Sequence, residues 1–170
     1  AVSDGRDGLI VAWSEGGRVF LERIDRACNT VWKLEDSADR EFAGMVEDGA
    51  GGAILLLTGN GNRACVRRVG SEGTVLWDNE GALRITAGYD YSGASITADG
   101  EGGAVVAWLE KEKGNMRLRA QRLDAAGRVL WGAEGVMIAS LSGGGISREQ
   151  VIGDDAGNFF ITWDTESTVT

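Results

Sequence analysis

Apolar residues in this chain fall in short, near-continuous runs, each entered through an aspartate- and glycine-rich turn. Residues 9–13, 53–57, 104–108 and 159–163 are such runs. A run of that length, apolar at nearly every position, fits a strand covered on both faces. The segment that follows each of the first three alternates instead. In residues 116–123, Leu118, Ala120 and Arg122 share one face, and Arg117, Arg119, Gln121 and Leu123 share the other. That is the two-residue period of a strand, and residues 18–24 and 63–69 are its counterparts. A tight turn comes next, Gly70-Ser71-Glu72-Gly73 or Asp124-Ala125-Ala126-Gly127. A short fourth strand ending in tryptophan follows at residues 30–32, 74–77 and 128–131. A weaker strand is expected ahead of each Asp-Gly turn, at residues 41–46, 92–97 and 147–152. No segment carries capped 3.6-residue periodicity, so almost no helix is expected.

The runs repeat. All six tryptophans fall at two recurring places: Trp13, Trp108 and Trp163 close the first kind of run, and Trp32, Trp77 and Trp131 close the fourth. Leu57 stands where the second unit would have its tryptophan. The units cover roughly 1–44, 45–94, 95–149 and a partial 150–170, a spacing of about 45 to 55 residues, the range of propeller blades. Four short antiparallel strands per unit define an all-β, β-propeller-type array of about three and a half blades in one continuous domain. Tryptophan is the expected filler between neighbouring sheets. The repeat begins and ends in mid-unit and closed rings need more blades. Further blades, or a protein partner, are therefore expected to cover the terminal blades.

The sequence Asp99-Gly100-Glu101-Gly102-Gly103-Ala104-Val105-Val106-Ala107-Trp108, followed by Gln121-Arg122-Leu123-Asp124 and Leu130-Trp131-Gly132, resembles the repeats of secreted bacterial β-propeller proteins. The first unit departs from the pattern at Arg26-Ala27-Cys28-Asn29, and the proline common before the Asp-Gly turn is missing throughout. The resemblance implies the fold and a secreted, periplasmic or cell-surface setting. Its motifs are structural and imply no activity.

Composition narrows the chemistry. The chain has 170 residues, with 27 Gly, 0 Pro and 0 His. Without histidine it cannot carry Ser-His-Asp or Cys-His catalysis by itself, and it lacks the commonest metal ligand. A net charge of −9 repels phosphate backbones, so nucleic acid is not an expected partner. Cys28 falls in a turn and Cys65 in a strand. A disulfide between units stays open beside the plainer reading of two thiols, one partly exposed and one buried. No stretch approaches the roughly 20 apolar residues of a membrane-spanning helix.

Four constellations are candidates for chemistry. Asp4, Asp7, Asp48, Asp99, Asp154 and Asp155 sit beside glycines, and a loop with several carboxylates supplies part of a calcium shell. Asp154 and Asp155 are the fullest such candidates, and turn formation by aspartate is the expected role. The pairs Glu110/Glu112, Glu35/Asp36 and Asp164/Glu166 have the composition of a glycosidase acid/base pair but are expected to be solvated. Arg63, Arg67, Arg68, Arg117, Arg119 and Arg122 invite comparison with the arginine cluster of secreted sialidases. No Ser-x-Asp-x-Gly-x-x-Trp box accompanies them, and Tyr89 and Tyr91 lack a matched arginine triad. Gly143-Gly144-Gly145 lacks the lysine of a phosphate loop and reads as a flexible connection. These features favour a non-catalytic binding or scaffolding module, or a subunit of a larger assembly, with neither catalytic residues nor a required cofactor in this chain. The alternative is a fragment of a carbohydrate-active propeller enzyme whose catalytic residues lie elsewhere.

Overall fold

The computed structural model describes residues 1–36, 40–59, 63–83, 90–154 and 156–167. Fourteen strands and no helix occur among them. The first blade is β1 (Val2–Ser3), β2 (Leu9–Glu15), β3 (Arg18–Ile24) and β4 (Thr30–Asp36). The second is β5 (Arg40–Glu47), β6 (Ala53–Gly59), β7 (Arg63–Val69) and β8 (Val75–Leu83). The third is β9 (Asp90–Ala98), β10 (Ala104–Glu112), β11 (Asn115–Leu123) and β12 (Val136–Ser142). A half-blade, β13 (Gly144–Gly153) and β14 (Phe159–Ser167), follows. Every blade is an antiparallel meander with neighbours in chain order.

Burial follows the run pattern. Residues 53–57 and 104–108 are buried at every position, because β6 and β10 lie inside blades that are themselves flanked. The outer blades bury one face only: in β2, Ile10 is fully buried while Leu9 is half exposed, and in β14 Phe160 is more than half exposed. Three apolar clusters fill the three junctions. Ile10, Val19 and Leu21 of the first blade meet Ala53, Leu55 and Leu57 of the second. Ile54, Leu56 and Val66 meet Ala104, Val106 and Trp108. Val105, Leu118 and Ala120 meet Ile146, Val151, Phe159 and Ile161. Odd and even positions of one strand thus serve opposite junctions, which is why β6 and β10 read as continuous apolar runs.

Three sequence expectations need correction. The fourth strand of the third blade is β12, beyond Trp131, and not residues 128–131. That segment contributes a bridge from Val129 to Leu123 and two backbone bonds, from Leu130 N to Arg122 O at 2.8 Å and from Asp124 N to Arg128 O at 3.0 Å. The Gln121 side chain holds the end of the segment, accepting from Trp131 N at 2.9 Å and donating to Gly132 O at 2.6 Å. Gly132, with φ +79°, then turns the chain outward. Gly144 and Gly145 are not a flexible connection. Both are ladder residues of β13, and a Cβ on Gly144 would lie 2.5 Å from Glu166 O. Finally, sheets change over at residues 36/40, 83/90 and 142/144, so the weak strands open blades, ahead of the boundaries 44, 94 and 149 read from the repeat.

Candidate functional site

The polar chemistry of the array is concentrated where each Asp-Gly loop meets the next blade. Asp4, Asp48, Asp99 and Asp154 build one loop four times. Oδ1 accepts two backbone bonds, from Arg6 and Gly8 at 2.7 and 2.8 Å in the first copy and from Ala156 and Asn158 at 2.9 and 2.8 Å in the last. Asp25 and Asp124 repeat it in the turns after the third strands. The fourth loop residue has positive φ in each copy, whether glycine (Gly51, Gly102, Gly157) or not (Asp7, Cys28). In the Asp4, Asp25, Asp124 and Asp154 loops these bonds hold the carboxyl below the usual carboxylate range. The Arg6 amide dominates for Asp4, the Asn29 amide for Asp25, the Arg128 amide for Asp124 and the Asn158 side chain for Asp154.

The fifth loop residue decides what the second carboxylate oxygen does. Where it is Asn158, its side-chain amide donates to Asp154 Oδ2 at 2.9 Å. Where it is Gly8, Gly52 or Gly103, a Cβ would strike a main-chain carbonyl at 2.5, 2.2 and 2.1 Å. An arginine of the third strand then supplies the donor. Arg23, Arg68 and Arg122 place Nε 2.9, 3.0 and 3.1 Å from Oδ2 of Asp4, Asp48 and Asp99. In two blades the same guanidinium reaches onward: Arg23 to Ser71 O at 3.1 Å and Arg68 to Ala125 O at 2.9 Å, both in the following blade. Trp32 and Trp77 donate to those same two carbonyls at 2.8 and 3.2 Å.

The calcium candidate Asp154 therefore has both oxygens engaged within its own loop, and Asp155 lies outside the described residues. Among the described residues no three His, Cys, Asp or Glu side chains converge on one point. Of the carboxylate pairs, only Asp164 and Glu166 are both solvated as expected. Glu110 is fully buried on β10, within 3.3 Å of Arg119 Nε and accepting from Trp108 Nε1 at 3.2 Å. Asp36 is buried between Arg67 at 2.8 Å and Arg40 at 3.5 Å, while its neighbour Glu35 faces out to Arg18. These two depart from the solvated reading because each meets an arginine across a strand or a blade junction, and burial then becomes affordable. The arginines do not converge: Arg67, Arg68, Arg119 and Arg122 each serve a different carboxylate. The Arg63 side chain and all of Tyr89 fall outside the described residues, and Tyr91 pairs through its backbone with Glu110. Cys28 and Cys65 are not joined in a disulfide; Cys28 is exposed and Cys65 buried.

Two clefts open at the C-terminal end. One, of about 630 Å3, lies between the loops of the third blade and the half-blade and is lined by Asp99, Glu101, Arg122, Asp154 and Gly157. The other, of about 510 Å3, is lined by Arg148, Glu149, Thr162, Trp163 and Asp164. Burial pushes the Glu149 carboxyl above the usual carboxylate range. Arg148 takes φ +53° at the bulge between Ser147 and Gln150, which aims this cluster. Sequence reasoning missed Glu149 because nothing in the local pattern marks a bulge inside β13.

No protein-family model matches this chain, and no curated protein matches it. Among solved structures it is similar to a protein of unknown function from Bacteroides caccae, at 14% identity and a TM-score of 0.48. That likeness covers 91% of this chain and 64% of the other, so the chain spans under two thirds of that protein. The fold is an all-β array of antiparallel blades; among the described residues three have four strands and one has two.

Proposed function

We propose that this chain is a non-catalytic binding or scaffolding module of propeller type, belonging to a secreted or cell-envelope protein or to a larger assembly. The observation that carries this is how charge and apolar surface are divided. The buried carboxylates are occupied by arginines that tie strands and blades together, which leaves them no free role toward a substrate. The terminal faces are apolar instead. On the first blade Trp13 stacks on Phe20 at 5.4 Å with Lys33 over both rings, beside half-exposed Leu9 and Val31. On the half-blade Ile152, Phe160 and Trp163 are exposed. Large exposed apolar faces mark interaction surfaces, and the resemblance of the repeat to secreted bacterial propellers supports the setting.

The test is the mass of the protein in solution, by light scattering, with binding of a hydrophobic dye. Assembly, or dye binding by the monomer that a Trp13→Ser substitution reduces, is the expected result. A soluble monomer that binds no dye overturns the reading. The carbohydrate-active alternative has one observation in its favour, Trp163 beside Glu149 and Asp164 in an open cleft. Quenching of Trp163 fluorescence by soluble glycans would favour it.

A further inference from the structure

The three junctions of the array are built alike, and two of them show what the third is made to receive. At the first, the turn Gly70–Gly73 of the second blade places Ser71 O against Arg23 Nη1 at 3.1 Å and Trp32 Nε1 at 2.8 Å. At the second, the turn Asp124–Gly127 places Ala125 O against Arg68 Nη1 at 2.9 Å and Trp77 Nε1 at 3.2 Å. At the third, Arg122 and Trp131 are the corresponding residues of the repeat. Neither has a main-chain acceptor from a following blade among the described residues. Arg122 turns to the exposed Glu101 at 2.7 Å, and its side chain is 24% exposed against 9% for Arg23 and 12% for Arg68.

The space is open as well. A Cβ built on Gly51 would lie 3.5 Å from Ser71 Cβ, and one on Gly102 would lie 3.4 Å from Ala125 Cβ. Gly157 is the same loop position in the half-blade, and a Cβ there would meet nothing within 4 Å. The 630 Å3 cleft between Arg122 and Gly157 lies at this same junction, beside Phe159 of the half-blade, whose ring sits 5.7 Å from the Arg122 guanidinium and 6.2 Å from the Trp131 ring. The half-blade also pairs on one side only: β14 is bonded to β13 and to no other described strand. An unpaired edge is a template for another strand.

We propose that Asp99, Arg122 and Trp131 form a receptor for a β-hairpin of this repeat, of the kind that β7 and β8 make beside β6. The hairpin lies along β14 and seats the carbonyl of its turn on Arg122 and Trp131. This rests on the reading that protein covers the terminal half-blade. The chemistry selects a main-chain carbonyl, because each filled copy seats one on an arginine N–H and a tryptophan N–H, and Arg122 and Trp131 are the same residue types in the repeat. A second copy of this chain does not fit, since β3, β7 and β11 are each already paired on both edges.

The experiment is calorimetric titration of the 170-residue protein with a backbone-cyclised hairpin copying residues 63–79, carrying Cys65→Ala. Saturable one-to-one binding is expected, with none for a scrambled peptide. Trp131→Phe keeps the ring and removes the donor, so it should weaken binding about fivefold, the worth of one hydrogen bond. Arg122→Lys should weaken it by a similar factor, and Trp32→Phe, at a filled socket, should leave it unchanged. No binding up to about 1 mM peptide, or equal binding to all three variants, overturns the proposal. So does self-association of the protein that Trp131→Phe abolishes, because the occupant would then be a second copy. If the hairpin fails while dye still binds at Trp13, the scaffolding reading stands and the socket alone falls.

Discussion

Arg23 and Trp32 donate to one carbonyl oxygen, that of Ser71, from 3.1 and 2.8 Å, although Ser71 belongs to the next blade. Arg23 is fixed from behind by Asp4, whose other oxygen closes its own loop. A turn in one sheet, a strand in the same sheet and a turn in the next are therefore held by one chain of bonds. Arg68, Trp77, Asp48 and Ala125 reproduce it. Apolar packing joins the blades without direction. These donors fix the stagger, because each reaches its acceptor at only one setting of the two sheets.

Trp32→Phe should cost about 1 kcal/mol, since the ring remains and one hydrogen bond goes. Arg68→Leu should cost more, about 3–5 kcal/mol, because it strands the buried Asp48 carboxylate without its partner. Urea denaturation of the two variants checks both values. A smaller loss for Arg68→Leu than for Trp32→Phe would contradict the circuit.

The two tryptophans of the first kind of run should differ although the repeat makes them equivalent. Trp108 is 1% exposed in the second junction, whereas Trp13 looks out from the first blade. Trp108→Ala should cost about 3–5 kcal/mol, as for a core aromatic. Trp13→Ala should cost clearly less in the isolated chain. Equal losses on denaturation would mean that the outer face of the first blade is not open in solution.

Removing divalent cations should leave the melting temperature unchanged, because Asp154 spends both oxygens on Ala156 and Asn158. Calcium-dependent stabilisation would instead require this loop to rearrange. Acid is the relevant variable. Asp4, Asp25, Asp124 and Asp154 have carboxyls held below 3.8. A depressed folded pKa gives stability that is present above the unfolded value and lost as pH falls through the folded one. The melting temperature should therefore drop below about pH 3.8, and Asp124→Asn should blunt that drop.

The architecture was legible because the signal is local. Asp-Gly loops, apolar runs and alternating strands each declare themselves within about ten residues, and the repeat makes each reading three times over. What stayed hidden depends on pairs far apart in the chain. Arg68 and Arg122 stood out in the sequence, as did Asp48 and Asp99, yet nothing local joins Asp48 to Arg68, and Arg23 drew no notice. Glu110 and Asp36 resembled solvated charges because a carboxylate does not announce the arginine that neutralises it. Trp131 misled for a different reason. It copies the sequence of Trp32 and Trp77, but Gln121 satisfies its backbone where the first two blades have strand partners.

Glu149 gives the sharpest pH test, and its sign is opposite to that of the aspartates. It lies against Gly93 and faces Arg148, Trp163 and Asp164 across the smaller cleft. Arg148 is drawn to Asp164 at 3.3 Å, and among the described residues no cation pairs with the Glu149 carboxylate. Burial raises its pKa above the ordinary 4.5, so the folded state holds the proton more tightly than the unfolded chain does. Above the folded pKa the charged form carries a desolvation penalty, and below about 4.5 both states are neutral and the penalty is gone. Glu149→Gln should thus raise the melting temperature at pH 7. The gain should shrink as pH falls through the raised pKa and disappear near pH 4. Thermal melts of both proteins across that range decide it. A gain that persists at pH 4, or a loss at pH 7, would show that the Glu149 carboxylate is stabilised by its cleft instead of penalised by it.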